Sequence, residues 1–92
     1  MRWTVYILRC NDGSLYTGIT NDLPKRFAAH SNGTGAKYTR GRGPLMVLHT
    51  ENYRDKSRAL KREIAIKALS RLDKIALILK PKRQRKKPLT DT

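Results

Sequence analysis

"VYILRCNDGSLYTG", residues 5–18, sets two apolar runs on either side of Asn11-Asp12-Gly13, with one tyrosine in each run. The flanking stretches, 3–10 and 14–20, are rich in β-branched and aromatic residues, so the segment reads as a β-hairpin. Loop length then decides which side chains meet. A two-residue Asp12-Gly13 turn would place Arg9 opposite Tyr16 and send Tyr6 to the other face. A three-residue Asn11-Asp12-Gly13 loop pairs Cys10 with Ser14, Leu8 with Tyr16 and Tyr6 with Gly18. The second register is preferred, because a type I turn closed by a left-handed residue needs a glycine where Gly13 stands. It puts both phenols on one face, with Gly18 leaving space beside the Tyr6 ring.

Working outward, Asp22 is a good N-cap for a helix over about 23–31, with Pro24 tolerated in its first turn and Gly33 ending it. Arg26 and His30, four apart, share a face of that helix. Residues 31–44, "SNGTGAKYTRGRGP", hold four of the six glycines together with Lys37, Arg40 and Arg42. Residues 45–50, "LMVLHT", read as a third strand. From Asp55 the period becomes helical, and Leu60, Ile64, Ala68, Leu72, Ile75, Ala76 and Leu79 follow an i, i+3, i+4 stripe. Ser70 with Asp73 resembles a capping box and divides this region into helices at about 55–69 and 71–80. The expected fold class is α+β, a small three-stranded antiparallel sheet flanked by helices. One domain occupies 1–80, and a basic tail, expected to be disordered, occupies 81–92.

Charge narrows the function. The 92 residues carry 21 Lys and Arg against seven Asp and Glu, a net +14. The last twelve residues hold five bases and one acid, so +10 remains on residues 1–80. Such an imbalance costs stability by self-repulsion, and nucleic acid is the commonest polyanion that relieves it. No segment pairs this charge with a lipid-facing anchor, and no apolar run reaches membrane-spanning length, so no membrane partner is expected. The single cysteine, Cys10, excludes an internal disulfide, and with only His30 and His49 beside it no zinc cluster can form. A reducing, cytoplasmic setting is expected.

Candidate chemistry is sparse. Glu63 stands among Arg58, Lys61, Arg62 and Lys67. Its ordinary role is an i, i+4 ion pair with Lys67 worth roughly 0.3 kcal/mol; its alternative role is to hold a divalent cation against a phosphate. Arg26 and His30 form either a solvated helix face or a guanidinium clamp on a phosphate with an imidazole beside it. Tyr6 and Tyr16 are either core aromatics or reactive phenols. A free phenol is only about one part in a thousand ionised at neutral pH, so as a base it needs a cation or an activated water nearby. The glycine-rich loop has no Walker spacing, and reads as a connector or as backbone that approaches a phosphodiester, with Lys37, Thr39, Arg40 and Arg42 as its nucleic-acid contacts.

Taken in order, "TVYIL" at 4–8, "YTG" at 16–18, Arg26 with His30, and Glu63 on a later helix resemble the GIY-YIG nuclease family. "GTGAKYTRGRGP" at 33–44 and "ALKREIAIKALSR" at 59–71 are similar to its small stand-alone bacterial branch. The resemblance covers roughly residues 3–80. It implies a single-metal phosphodiesterase site, with one Mg2+ or Mn2+ held by Glu63. In it Tyr6 helps activate the attacking water, Tyr16 positions water or phosphate, Arg26 stabilises phosphate charge and His30 is auxiliary. The function expected is a divalent-metal-dependent endonuclease acting on DNA with low intrinsic sequence specificity, in repair or recombination. It would be a monomer or weak dimer that takes its targets from a protein partner or from nucleic-acid shape. Three departures stand out: Thr4 replaces the first motif's glycine, Ile19 stands where some nucleases of the family have lysine, and no asparagine follows Asn52. Thr4 is conservative for the strand, but Ile19 and the absent late asparagine motivate an alternative, a nucleic-acid-binding module without useful catalysis.

Overall fold

The computed structural model describes residues 2–80; Met1 and the tail expected at 81–92 lie outside the described residues. Strands β1 (Trp3–Arg9), β2 (Leu15–Thr20) and β3 (Met46–Tyr53) form one antiparallel sheet in the order β2-β1-β3. Helices α1 (Leu23–Ser31), α2 (Lys56–Lys67) and α3 (Arg71–Leu79) complete an α+β fold, with a single 3-10 turn at Lys37–Thr39.

The hairpin takes the three-residue loop. Tyr6 pairs with Gly18 and Leu8 with Tyr16. The Cys10 N–H donates to Ser14 O at 2.9 Å, and the Gly13 N–H returns to Cys10 O at 2.9 Å. Gly13 has φ +84°, the left-handed conformation that closes such a loop. Each helix begins on a side-chain cap that takes up an otherwise orphaned N–H. Asp22 accepts from Lys25 N–H at 3.1 Å, Asp55 from Arg58 N–H at 2.9 Å, and Ser70 from Asp73 N–H at 3.1 Å.

Two expectations need correction. Strand β3 runs three residues further than 50, through Glu51, Asn52 and Tyr53, because Glu51 finds half-buried partners rather than solvent. The helical stripe is also displaced. Ile64, Leu72 and Leu79 are 64%, 78% and 75% exposed, so the apolar series through them faces out. The inward face of α2 instead runs through Ala59, Arg62, Glu63 and Ile66. Ala59 and Ile66 pack on Val5 and Ile7, and Leu77 and Ile78 of α3 pack against the same cluster.

This core lies on one face of the sheet, because Val5 and Ile7 alternate with Tyr6 and Leu8 along β1. Tyr6 therefore points away from α2's apolar contacts. The register of β3 slips between Ile7 and Leu8, which pair with His49 and Val47 and leave Leu48 between them. Arg71 of α3 donates to Gly13 O at 2.9 Å, tying the last helix to the hairpin tip. No described helix is long and apolar enough to cross a membrane.

Candidate active site

The face of the sheet opposite the core carries Tyr6 and Tyr16, whose ring centroids lie 6.3 Å apart. Tyr6 reaches across Gly18. A Cβ on Gly18 would lie 2.6 Å from the Tyr6 hydroxyl and 3.1 Å from Tyr16 Cε2, so only a glycine lets this phenol lie flat over β2. The space expected beside Tyr6 is thus filled by the phenol itself.

Helix α1 delivers Arg26 and His30 to the same place. His30 is 1% exposed, with Nε2 2.9 Å from the Tyr6 hydroxyl and its ring 5.2 Å from that of Tyr16. Burial and the nearby Arg26 charge lower the His30 pKa, which keeps the ring neutral at neutral pH. Arg26 lies within electrostatic reach of the phenols of Tyr6 and Tyr16. Burial raises the pKa of Tyr6, an effect that the neighbouring Arg26 guanidinium partly offsets. Tyr6 consequently stays a neutral phenol in the free protein.

Glu63 enters from α2. Its charge falls within electrostatic reach of Tyr6, and its side chain is largely buried, with Oε2 3.3 Å from Lys67 Nζ. The ion pair expected of Glu63 is therefore made, while its charge is also felt at the Tyr6 phenol. Among the described residues no group of three His, Cys, Asp or Glu could hold a metal ion. A lone carboxylate suits a hard cation that keeps most of its own water and completes its shell with phosphate oxygens, which is how Mg2+ is commonly bound. It does not suit zinc, which takes three or four protein ligands.

The structure redistributes the glycine-rich loop. Thr39, expected at the nucleic-acid surface, is turned inward at 2% exposure, its hydroxyl 2.8 Å from His30 Nδ1. Arg42 is engaged as well. It donates to Asp12 at 2.6 Å and to Ser14 Oγ at 3.3 Å, and its guanidinium lies 4.6 Å from the centre of the Tyr38 ring. Arg42 thus clamps the loop to the hairpin tip, aided by Asn11, whose backbone N–H donates to Arg42 O at 2.7 Å. Lys37 and Arg40 remain exposed. Tyr38, absent from the sequence-based candidates, is 42% exposed with its ring centroid 5.7 Å from that of Tyr16. An aromatic in an otherwise polar loop was its only signal. Gly35 was missed too, because a glycine needed for close approach looks like any other in such a loop.

The model of the GIY-YIG catalytic domain matches residues 2–76. The chain belongs to the GIY-YIG family. Its relatives include a UPF0213 protein of Clostridium perfringens, 57% identical over 74 residues that make up 80% of each chain. Another, from Halobacterium salinarum, is 53% identical over 73 residues, 79% of this chain and 95% of the relative. Among solved structures, the solution structure of a UPF0213 protein from Bacillus halodurans superimposes with a TM-score of 0.57 at 47% identity, over 85% of this chain and 83% of that one. A protein from E. faecalis does so with a TM-score of 0.61 at 36% identity, over 94% and 96%. The GIY-YIG domain therefore spans nearly all the described residues. Tyr6 and Tyr16, which the sequence likens to the tyrosines of the family's two named motifs, are the pair that packs against His30.

Proposed function

We propose that this GIY-YIG protein is a divalent-metal-dependent endonuclease that hydrolyses phosphodiesters in DNA with little sequence preference of its own. One observation carries the reading: two phenols and a neutral imidazole pack together, with Arg26 and the Glu63 carboxylate in electrostatic reach of Tyr6, in a chain of net charge +14. Arg26 is the donor for phosphate oxygens, where charge builds as the phosphorus is attacked. Tyr6 takes a proton from the attacking water while passing its own to His30 Nε2, so the phenol never has to ionise alone. The new P–O bond forms as the bond to the leaving oxygen breaks, and that oxygen collects a proton from solvent. Tyr16, edge-on to His30 and tilted against Tyr38, positions the phosphate. Mg2+ or Mn2+ held by Glu63 would supply Lewis-acid neutralisation of the phosphate charge.

Lys37 and Arg40 are proposed to dock the flanking backbone, and target choice to come from nucleic-acid shape or a protein partner, in repair or recombination. The protein would act as a monomer or weak dimer in the cytoplasm, where a lone buried thiol such as Cys10 stays reduced. The Glu63–Lys67 ion pair favours one second reading, a binding module whose carboxylate never exchanges its lysine for a metal. Cleavage of single-stranded, duplex and branched DNA with Mg2+ or Mn2+ separates the two. Metal-dependent products from the wild type and none from Glu63→Ala support the nuclease. Salt-sensitive binding without products supports the module. Equal products from both proteins would overturn the site.

A further inference from the structure

We infer that Thr39 is a positioning residue that fixes the tautomer of His30, protonated at Nδ1, so that the bare Nε2 faces the Tyr6 hydroxyl. The inference begins with the buried chain of contacts. His30 Nε2 lies 2.9 Å from Tyr6 Oη, and His30 Nδ1 lies 2.8 Å from Thr39 Oγ1. The Thr39 hydroxyl lies 2.9 Å from the Ala36 carbonyl oxygen. Two proton arrangements fit these distances, and they run in opposite directions.

In one arrangement Thr39 donates to Ala36 O and accepts from Nδ1–H, while Tyr6 donates to Nε2. In the other Thr39 donates to Nδ1, and Nε2–H donates to the phenol oxygen. The Ala36 N–H, 3.4 Å from Nδ1, would suit the second, but at that length it is a weak contact. Thr39 decides between them. Its hydroxyl has one proton, and the Ala36 carbonyl oxygen 2.9 Å away can only accept it. With that proton spent, Oγ1 meets Nδ1 at 2.8 Å as an acceptor, so Nδ1 carries the hydrogen and the bare Nε2 receives the hydroxyl of Tyr6, which is 1% exposed. The first arrangement satisfies every group in the chain: Tyr6 to His30, His30 to Thr39, and Thr39 to Ala36.

The loop is built to hold this geometry. A Cβ on Gly35 would lie 2.6 Å from His30 Nδ1 and 2.8 Å from its Cα, so the glycine lets the backbone close over the imidazole. This gives the glycine-rich loop a task besides contact with nucleic acid. It is the socket of His30, and it orients a proton acceptor in the way that outer partners orient working histidines elsewhere.

The catalytic value of the tautomer rests on the proposed nuclease reading; the tautomer itself does not. The test is the ring 15N chemical shifts of His30 in the full chain, assigned by their loss in His30→Gln. The expected result is a protonated, pyrrole-like Nδ1 and an unprotonated, pyridine-like Nε2. Thr39→Ser, which keeps the hydroxyl, should retain that pattern and the wild-type cleavage rate. Thr39→Val should lose it, with cleavage falling about ten- to a hundredfold, the usual cost of removing an orienting partner. Protonated Nε2 in the wild type, or an unchanged tautomer in Thr39→Val, overturns the inference. If Thr39→Val does not fold, the wild-type and Thr39→Ser spectra decide it alone. The expected tautomer in a wild type that cuts nothing would sink the nuclease reading and leave the positioning role standing. A changed tautomer with undiminished cleavage would remove that role from the reaction.

Discussion

The two faces of the sheet each carry a cluster of tyrosine, histidine and arginine, and they differ in what the carboxylate does. On the core side Glu51 accepts from Arg62 at 2.8 and 3.1 Å, from Tyr53 at 2.6 Å, and lies 2.8 Å from His49 Nε2. Burial alone would raise the Glu51 pKa, but those hydrogen bonds outweigh it and pull it down to about 2. Burial and the bond to Glu51 push the Tyr53 phenol up to about 12. On the other side Tyr6, Tyr16, His30 and Arg26 assemble around phenol oxygens, and Glu63 stands off, paired with a lysine that is half exposed. The first cluster is electrically complete and braces α2 against β3. In the second, no carboxylate among the described residues is hydrogen-bonded to the phenols, and in the proposed function a phosphate takes that place. The same residue types thus make a strut on one face and the proposed binding site on the other.

The sharpest break of this comparison comes from Arg26. Arg26→Ala should cut cleavage about 10²- to 10³-fold, the usual loss when one donor to transition-state charge is removed. Its fold should survive, as circular dichroism would show. Next is the strut. Glu51→Ala strands Arg62, and urea unfolding should show a loss of about 2–3 kcal/mol. The same group predicts an acid dependence with a definite sign. Its pKa is lowered on folding, so its stabilisation is complete above the unfolded value of 4.5 and is lost as pH falls through about 2. Stability that held flat across that window would contradict the saturated cluster.

Gly18→Ala sharpens the comparison at the site. The new methyl meets the Tyr6 hydroxyl and must displace it, costing about 1–3 kcal/mol of stability by overpacking. Cleavage should fall further than stability explains, measured well below the variant's Tm. The smallest effect belongs to Thr17, on the core face beside Ile7. Its buried Oγ1 has no hydrogen-bond partner among the described residues. Thr17→Val should therefore raise stability by about 1 kcal/mol and leave cleavage unchanged. A loss of cleavage there would mean that the hydroxyl serves the site.

Local signals made the hairpin and α1 readable. Asn11-Asp12-Gly13 set the loop, the loop set the register, and the register placed Tyr6 and Tyr16 together before any tertiary contact was known. Asp22 and Pro24 fixed α1 in the same way, and with it the spacing of Arg26 and His30. Helix α2 misled, because Leu60 and Ile64 form an apolar row that faces solvent. Its inward row holds Arg62 and Glu63, whose burial is stabilised by Glu51 on β3 and by Lys67 rather than by hydrophobicity. That is also why β3 continued past Thr50. Charges used in the interior interrupt the very pattern by which an interior is recognised. Thr39, Gly35 and Arg42 were unreadable for another reason: their tasks depend on the tertiary meeting of the loop with His30 and the hairpin tip. Spacing in the chain carries no trace of it.

The most direct measurement compares the two carboxylates on one substrate. Glu63→Gln and Glu51→Gln would each be assayed for Mg2+- or Mn2+-dependent DNA cleavage at a temperature where both are folded. The account predicts that Glu63→Gln abolishes cleavage at nearly wild-type stability, while Glu51→Gln is less stable and still cuts at the wild-type rate. Equal loss in both, or cleavage that survives without the Glu63 carboxylate, would contradict the division of the sheet into a strut and a site.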